Sequence, residues 1–414
     1  MNRRNIWRLL AILISGVSAW KASANGFGLP DQDAFATARG EAFVATADNP
    51  AAIYYNPAGI TQLKGNNLRG GVYGIDLDSS YSPPNSGQTF HSSKKLAAVP
   101  QLFYTYTAKD APLSAGLGVY APFGGNMNWP QGLDDADFRQ AGISGSLKYI
   151  TINPVIAIKL LPGLSVGGGA MVNYGKISML LGPEPWASRR VNFFRFTGYG
   201  WSAGYNAGIL WQPHPKISLG TTFRSSARLN FQGNTDFEFN PGPYNTPALR
   251  GASANFTFPM TAVFGISCRP TPKWNIEFDA NYTGWNSFDT VNIEESPPVD
   301  GNIFKTTMPV NLGWQGSWMY EFGVTRYFDN GWHVSAGYVF NENSVPNQYY
   351  TPLAADMDRH FFSIGTGFNG KAFNFDIAYQ FGYGPTHTVT GSSPPVPFEK
   401  NVATNPVDGK YGFT

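Results

Sequence analysis

Along most of the chain, apolar and polar residues alternate one by one. Between Lys371 and Tyr383 the side chains of Phe373, Phe375, Ile377, Tyr379, Phe381 and Tyr383 share one face, and Ala372, Asn374, Asp376, Ala378, Gln380 and Gly382 share the other. That period of two is a β-strand with one greasy and one polar side. Trp274, Ile276, Phe278, Ala280 and Tyr282 repeat it against Asn275, Glu277, Asp279 and Asn281. Trp332, Val334, Ala336, Tyr338 and Phe340 repeat it again. Ordinary strands run to about 5–6 residues; these segments reach the roughly 9–11 that a tilted strand needs to cross a bilayer.

The connections alternate as well. Short ones sit at 109–112, 161–163, 212–215, 269–272, 329–331 and 369–370; long ones lie near 79–90, 123–142, 180–195, 233–252, 286–305, 342–358 and 384–407. Short turns at one end and long loops at the other are the periplasmic and extracellular sides of an outer-membrane barrel. Six short and seven long connections join fourteen strands, an even number that puts both barrel ends on the periplasmic side. A basic side chain aimed at lipid in mid-bilayer costs about 2–4 kcal/mol. Arg224, Glu277, Asp279 and Asp376 all fall on the small, polar face, so that face is expected to line the lumen.

The N-terminus departs from this rhythm. Arg3, Arg4 and Arg8 precede the apolar run Leu9–Ile14, and Ala22-Ser23-Ala24 closes it. These are the parts of a cleaved signal peptide over residues 1–24, and the apolar run is far short of the ~20 residues of a spanning helix. Residues 25–66 read as an Ala-rich stretch followed by Asp48-Asn49-Pro50 and Asn56-Pro57-Ala58-Gly59. A short helix and a punctuated loop are expected there, compact enough to serve as a plug.

Composition narrows the function classes. With 15% aromatic residues, 47 glycines and only 14% charged residues, the chain suits neither a helical bundle nor disorder. A net charge of +2 gives no sign of nucleic acid as a partner. The single cysteine, Cys268, forms no internal disulfide. Gly200-Trp201-Ser202-Ala203-Gly204 fits a nucleophile pattern but lies within an alternating strand rather than a strand-turn-helix elbow. The five histidines lack paired ligand spacing, and Asp356, Asp358, Arg359 and His360 read as a loop-end hydrogen-bond network. No catalytic residue, metal or cofactor is expected.

Seven short stretches carry a resemblance: Gly26-Phe27; Asn56-Pro57-Ala58; Tyr120–Gly124; Gly204–Ile209; Phe223-Arg224-Ser225 with Phe231–Asn234; Tyr282–Trp285; and Asn343–Pro346 with Asp356–Arg359. In that order, over nearly the whole mature chain, they resemble the FadL-type family of outer-membrane transporters (OMPP1/FadL/TodX). Its members take up long-chain fatty acids and, in some cases, aromatic hydrocarbons. The resemblance implies an all-β transmembrane fold: a 14-stranded antiparallel outer-membrane β-barrel (67–414) with a small N-terminal plug (25–66) containing short helices. It implies Phe27 and Lys176 as substrate-binding residues and Asn56, Pro57 and Ala58 as the gate. It also implies a kink in the third strand at Pro122, Phe123 and Gly124, opening the wall sideways. Lys176 falls near one basic position used for the carboxylate; another falls at or near Gln315, which is neutral. Asp408–Thr414 matches the opening of the last strand and then stops, so a short final strand is expected.

Each methylene leaving water gains roughly 0.8 kcal/mol, so a greasy solute needs an apolar groove rather than a water-filled pore. The expected function is passive uptake of hydrophobic small molecules across the outer membrane. Long-chain fatty acids lead, aromatic or other neutral hydrocarbons are the alternative, and a general porin trails. Expected partners are that cargo, outer-membrane lipids and lipopolysaccharide, with the protein itself a monomer.

Overall fold

The computed structural model describes residues 26–93, 96–109, 111–129, 136–182, 193–238, 249–296, 307–393 and 404–413. The signal peptide expected at 1–24 lies outside them. The wall begins with β1 (Gly65–Ile75), β2 (Ser79–Ser82), β3 (Phe90–His91), β4 (Ala97–Thr107), β5 (Leu113–Tyr120), β6 (Gly124–Asn128) and β7 (Ser144–Leu161). It continues through β8 (Leu164–Leu181), β9 (Phe193–His214), β10 (Ile217–Arg224), β11 (Ala227–Glu238), β12 (Arg250–Phe258), β13 (Thr261–Cys268) and β14 (Trp274–Thr283). Then come β15 (Thr290–Ser296), β16 (Thr307–Asn311), β17 (Ser317–Tyr327), β18 (Trp332–Asn341), β19 (Arg359–Asn369), β20 (Asn374–Val389) and β21 (Gly409–Phe413).

Every pairing is antiparallel, and several pairs of segments share one neighbour. Both β5 and β6 lie on β7, and both β10 and β11 lie on β9. Likewise β12 pairs β15 while β13 pairs β14, and β15 pairs β16 while β14 pairs β17. The breaks fall at Pro122, Ser225-Ser226, Pro259-Met260, Gly284 and Gly313, mostly residues that remove a donor or a side chain from a ladder.

Each of the six expected short turns joins two paired strands. The long connections are more structured than the alternation indicates. β2 and β3 form around 79–91, and β6 and the helix α3 (Ala136–Ala141, after the two helices described below) form within 123–142. β11, β15 and β20 run on to Glu238, Ser296 and Val389. Polar strands pair there as well as apolar ones, because the ladder is made by backbone groups.

The wall returns to its start unevenly. β21 pairs with β20 on one side and with β2 on the other. Among the described residues no ladder joins β1 to β20, so the sheet is not closed over its full height. Side chains bridge that seam instead: Arg69 donates to Asp376 at 2.7 Å and Tyr73 to Gln380 at 3.3 Å.

The two faces have opposite character. Ile156, Trp201, Phe264, Ile276, Phe322, Ile364 and Ile377 are exposed, whereas Asn153, Asn173, Glu277, Asp279, Thr325 and His333 are buried. A water-soluble surface does not carry apolar side chains in such continuity; lipid on the outside accounts for it. No described helix is long and apolar enough to cross a membrane.

Residues 26–64 run inside the curled sheet, and nearly every one from Asp31 to Ile60 is buried. α1 (Ala34–Ala38), capped by Asp33 accepting from the Phe35 and Ala36 amides, packs on β18, β19 and β20. After α2 (Ala52–Tyr55), a 3₁₀ turn at Pro57–Gln62 touches β4, β5, β7, β8 and β9. Carboxylates of β14 hold this inner segment by its backbone. Asp279 accepts from the Phe43 and Val44 amides, both at 2.8 Å, and Glu277 accepts from those of Ala45 and Thr46 at 2.7 and 3.1 Å. Wall glycines let the two backbones touch: a Cβ on Gly337 would lie 2.0 Å from the Gly40 nitrogen, and one on Gly220 would lie 2.1 Å from the Val44 oxygen.

Candidate functional site

The ladder between β5 and β7 stops at Tyr120 opposite Thr151 and resumes at Gly124 opposite Lys148. Ala121, Pro122 and Phe123 thus face only Tyr149 and Ile150, a mismatch of the kind that makes a bulge. On the other side β4 pairs with β5 up to Val119 but not with β6. The inner segment fills part of this break. The Leu29 amide donates to the Pro122 carbonyl at 2.9 Å, the Gly124 amide to the Phe27 carbonyl at 3.0 Å, and Gln32 Nε2 to the Ala121 carbonyl at 2.9 Å.

Above the break lies an apolar cavity of about 910 Å³, mouth included. Phe27, Phe256, Phe258, Phe288, Ile293 and Trp314 dominate it; among the described residues its polar groups are Ser146, Ser178 and Thr351, and none that line it is charged. The Phe27 ring sits 5.2 Å from Trp314 and 6.4 Å from Trp285, centroid to centroid. The loop after β18 roofs the cavity through Thr351, Leu353 and Ala354, and Trp129 Nε1 fixes that roof by donating to the Pro352 carbonyl at 3.0 Å.

A second cavity of about 570 Å³, mouth included, lies at the break itself. It shares Phe258 with the first and takes Gly28 where the first takes Phe27. Pro122, Phe123, Ser225 and Pro259 bring the interruptions of several wall strands to it, and Thr151, Asn173, Asn281 and Arg224 make it polar. Arg224 is buried; its Nη1 donates to Thr261 Oγ1 at 3.1 Å, its Nη2 donates to the Tyr54 carbonyl, and its guanidinium carbon lies 3.8 Å from the Tyr54 ring centre. Burial pushes the Tyr54 phenol up to about 12, against the pull of the Arg224 charge, so the ring stays neutral at physiological pH. Among the described residues no cluster of His, Cys, Asp or Glu is placed to hold a metal.

The residues singled out from the sequence fall in different places. Phe27 lines the upper cavity, Pro122 and Phe123 line the lower one, and Gly124 meets the Leu29 side chain. Asn56, Pro57 and Ala58 line neither. Asn56 Nδ2 donates to the Val44 and Ile209 carbonyls at 2.8 and 3.0 Å, while its Oδ1 accepts from the Ala58 amide at 3.2 Å. These residues rest on Gly167 and Gly208 of β8 and β9. Lys176 is exposed on the outward face of β8, between Lys148 and Tyr199 in register, and lines neither cavity. The inward positions of that strand go to Asn173 and Gly175. The sequence marks Arg224 as a lumen-facing charge and as part of a resemblance motif; its place beside the Ser225-Ser226 break brings it to the lower cavity. Ser202 lies in mid-strand within β9, accepting from Asn173 Nδ2 at 3.3 Å, without the elbow a nucleophile needs.

A curled antiparallel sheet, apolar outside and polar within, with an apolar cavity over a wall break, is the architecture of an outer-membrane barrel for hydrophobic solutes. Residues 15–404 match the family described as Outer membrane protein transport protein (OMPP1/FadL/TodX), and the chain belongs to it. It is 25% identical over 412 residues to the long-chain fatty acid transport protein of Salmonella typhi, spanning 91% of this chain and 90% of that one. Among solved structures it is similar to a Pseudomonas aeruginosa FadL homologue (TM-score 0.78, 17% identity, 94% and 97% of the two chains). The Pseudomonas putida toluene transporter TodX is also similar (TM-score 0.66, 13% identity, 96% and 97%). The protein is therefore an outer-membrane transporter of hydrophobic compounds, and its family is one of transport channels rather than enzymes.

Proposed function

We propose that this protein carries long-chain fatty acids inward by passive steps, through capture in the upper cavity, transfer to the lower one and exit sideways at Pro122, Phe123 and Gly124. The observation that carries this reading is that the two cavities share Phe258 as a wall and are lined by the neighbouring residues Phe27 and Gly28. A greasy chain gains roughly 0.8 kcal/mol per methylene in the apolar cavity, and the polar one at the break receives its head. Residues 25–66 act as the plug and 67–414 as the barrel. Treating β1 with β2, β3 with β4, β5 with β6, β10 with β11, β12 with β13, β14 with β15 and β16 with β17 as seven interrupted strands supports a reading of the 21 described strands as fourteen wall positions. Asn56, Pro57 and Ala58 act as the gate by pinning the plug to β8 and β9. Outside, Lys148 and Lys176 lie side by side above Ile150, Tyr174 and Trp201, where an interfacial aromatic girdle meets lipopolysaccharide phosphates. The protein works as a monomer.

Aromatic hydrocarbon uptake is the second reading, favoured by the absence of charge among the described residues that line the upper cavity. Purified protein in liposomes is expected to speed entry of labelled oleate, toluene or both. No gain over empty liposomes for either solute overturns the transport reading, and open-porin conductance in planar bilayers overturns the plug. Asn56→Ala combined with Pro57→Ala is expected to slow uptake several-fold, and unchanged uptake removes the gate assignment.

A further inference from the structure

The lower cavity contains a buried cation, Arg224, that no described carboxylate meets at ion-pair distance. Among the described residues no carboxylate forms an ion pair with Arg224. Its acceptors are a backbone carbonyl and a hydroxyl, and its Nε is buried with no partner. Glu321 reaches it only by longer-range electrostatics. A guanidinium in that position costs free energy to keep buried, and its fork fits one ligand group best, a carboxylate taken bidentately. Its cavity adjoins the apolar one, so a chain of methylenes held among Phe27, Phe258 and Trp314 can present its head to Arg224.

We infer that Arg224 is the carboxylate receiver of this transporter, and that on receiving the cargo it gives up the Tyr54 carbonyl, loosening the inner segment at α2. The inference rests on the fatty-acid reading above. Tyr54 binds the arginine in two ways, by its carbonyl and by its ring. An arriving carboxylate competes for the same N–H groups, and the loss of the tether loosens α2, whose Tyr55 hydroxyl lies 3.0 Å from the Pro30 carbonyl and 3.1 Å from the Gln32 amide of the stretch beside the wall break. Capture of the head and opening of the path thereby become one event.

The test compares oleate with its methyl ester, which share a tail and differ in charge. In liposomes, Arg224→Gln is expected to lower oleate uptake about tenfold or more relative to that of methyl oleate, while Arg224→Lys restores part of the oleate rate. Equal losses for both solutes assign Arg224 a structural role and overturn the inference, as does an unchanged oleate rate. Wild-type protein that transports neither solute overturns the parent reading instead. Two measurements on wild-type protein avoid any folding defect of the variants. By tryptophan fluorescence, oleate is expected to bind about tenfold more tightly than oleyl alcohol at pH 8; equal affinities overturn the receiver. Oleate, but not oleyl alcohol, is expected to speed amide hydrogen exchange across Ala52–Tyr55; identical exchange overturns the released tether.

Discussion

Two buried arginines join the inner segment to the wall, and they are held in different ways. Arg39, on the inner segment, is fully buried, and its Nη2 reaches Glu277 at 3.1 Å and Asn275 Oδ1 at 3.0 Å. Two of its nitrogens make no hydrogen bond, yet its charge is matched. Around it, Glu277 and Asp279 take backbone amides from Phe43 to Thr46. Arg224, on the wall, reaches the inner segment through a carbonyl and a ring, and no described carboxylate lies within ion-pair distance of it. The first arrangement is a fastening with its charges neutralised inside the protein. The second leaves a charge to be neutralised by something that comes and goes.

The contrast can be broken at its strong end. Glu277→Ala strands the Arg39 charge and frees the Ala45 and Thr46 amides, so a loss of about 3–5 kcal/mol is expected, read as a lower temperature for losing the heat-modifiable folded band on gels. A smaller change would mean that the clamp is not where the inner segment is fastened. Asp279→Asn keeps the shape but gives the Phe43 and Val44 amides a carboxamide in place of the carboxyl group that accepts from both. About 1–3 kcal/mol is expected by the same measurement. Asn56→Ala removes a neutral fastening, with donors to Val44 and Ile209, and about 1–2 kcal/mol is expected. A cost above that of Asp279→Asn would show that charge is not what separates the two regions.

The smallest effect lies in the roof of the upper cavity. Burial raises the Asp358 carboxyl to about 6, with the Asp356 and Glu342 charges adding to the rise. A raised carboxyl contributes stability while protonated, in full below about 4, and that contribution is lost as pH rises through about 6. Protease cleavage within 342–358 is therefore expected to increase modestly from pH 5 to pH 7, and Asp358→Asn is expected to flatten the profile. A pH-independent cleavage rate would count against the assigned titration.

Much of the wall was legible because lipid outside and polar groups inside impose a strict period of two. The faces of 371–383 came out as expected, although β20 begins only at Asn374. Phe27 and the break at Pro122 and Phe123 were reached through motif resemblance, since nothing in the alternation marks them. Lys176 shows the limit of that route: a shift of one residue turns a strand side chain from lumen to lipid, and Lys176 sits on the outward side. The carboxylate clamp was invisible for another reason. Glu277 and Asp279 could be assigned to the lumen face, but their partners are backbone amides more than 200 positions away, and amides carry no sequence signature. Arg224 is legible as an inward charge within a motif, but only the fold shows that no described carboxylate meets it at ion-pair distance.

The glycines under the inner segment have an evolutionary consequence. With a Cβ on Gly208 falling 2.2 Å from Asn56 Oδ1 and one on Gly220 falling 2.1 Å from the Val44 oxygen, the wall has no room to vary there by itself. A side chain gained on the barrel has to be answered by space made within. The two parts therefore have to be inherited as a matched pair, and a graft of the inner segment from one member of the family into the wall of another is expected to fail wherever such a glycine has been replaced.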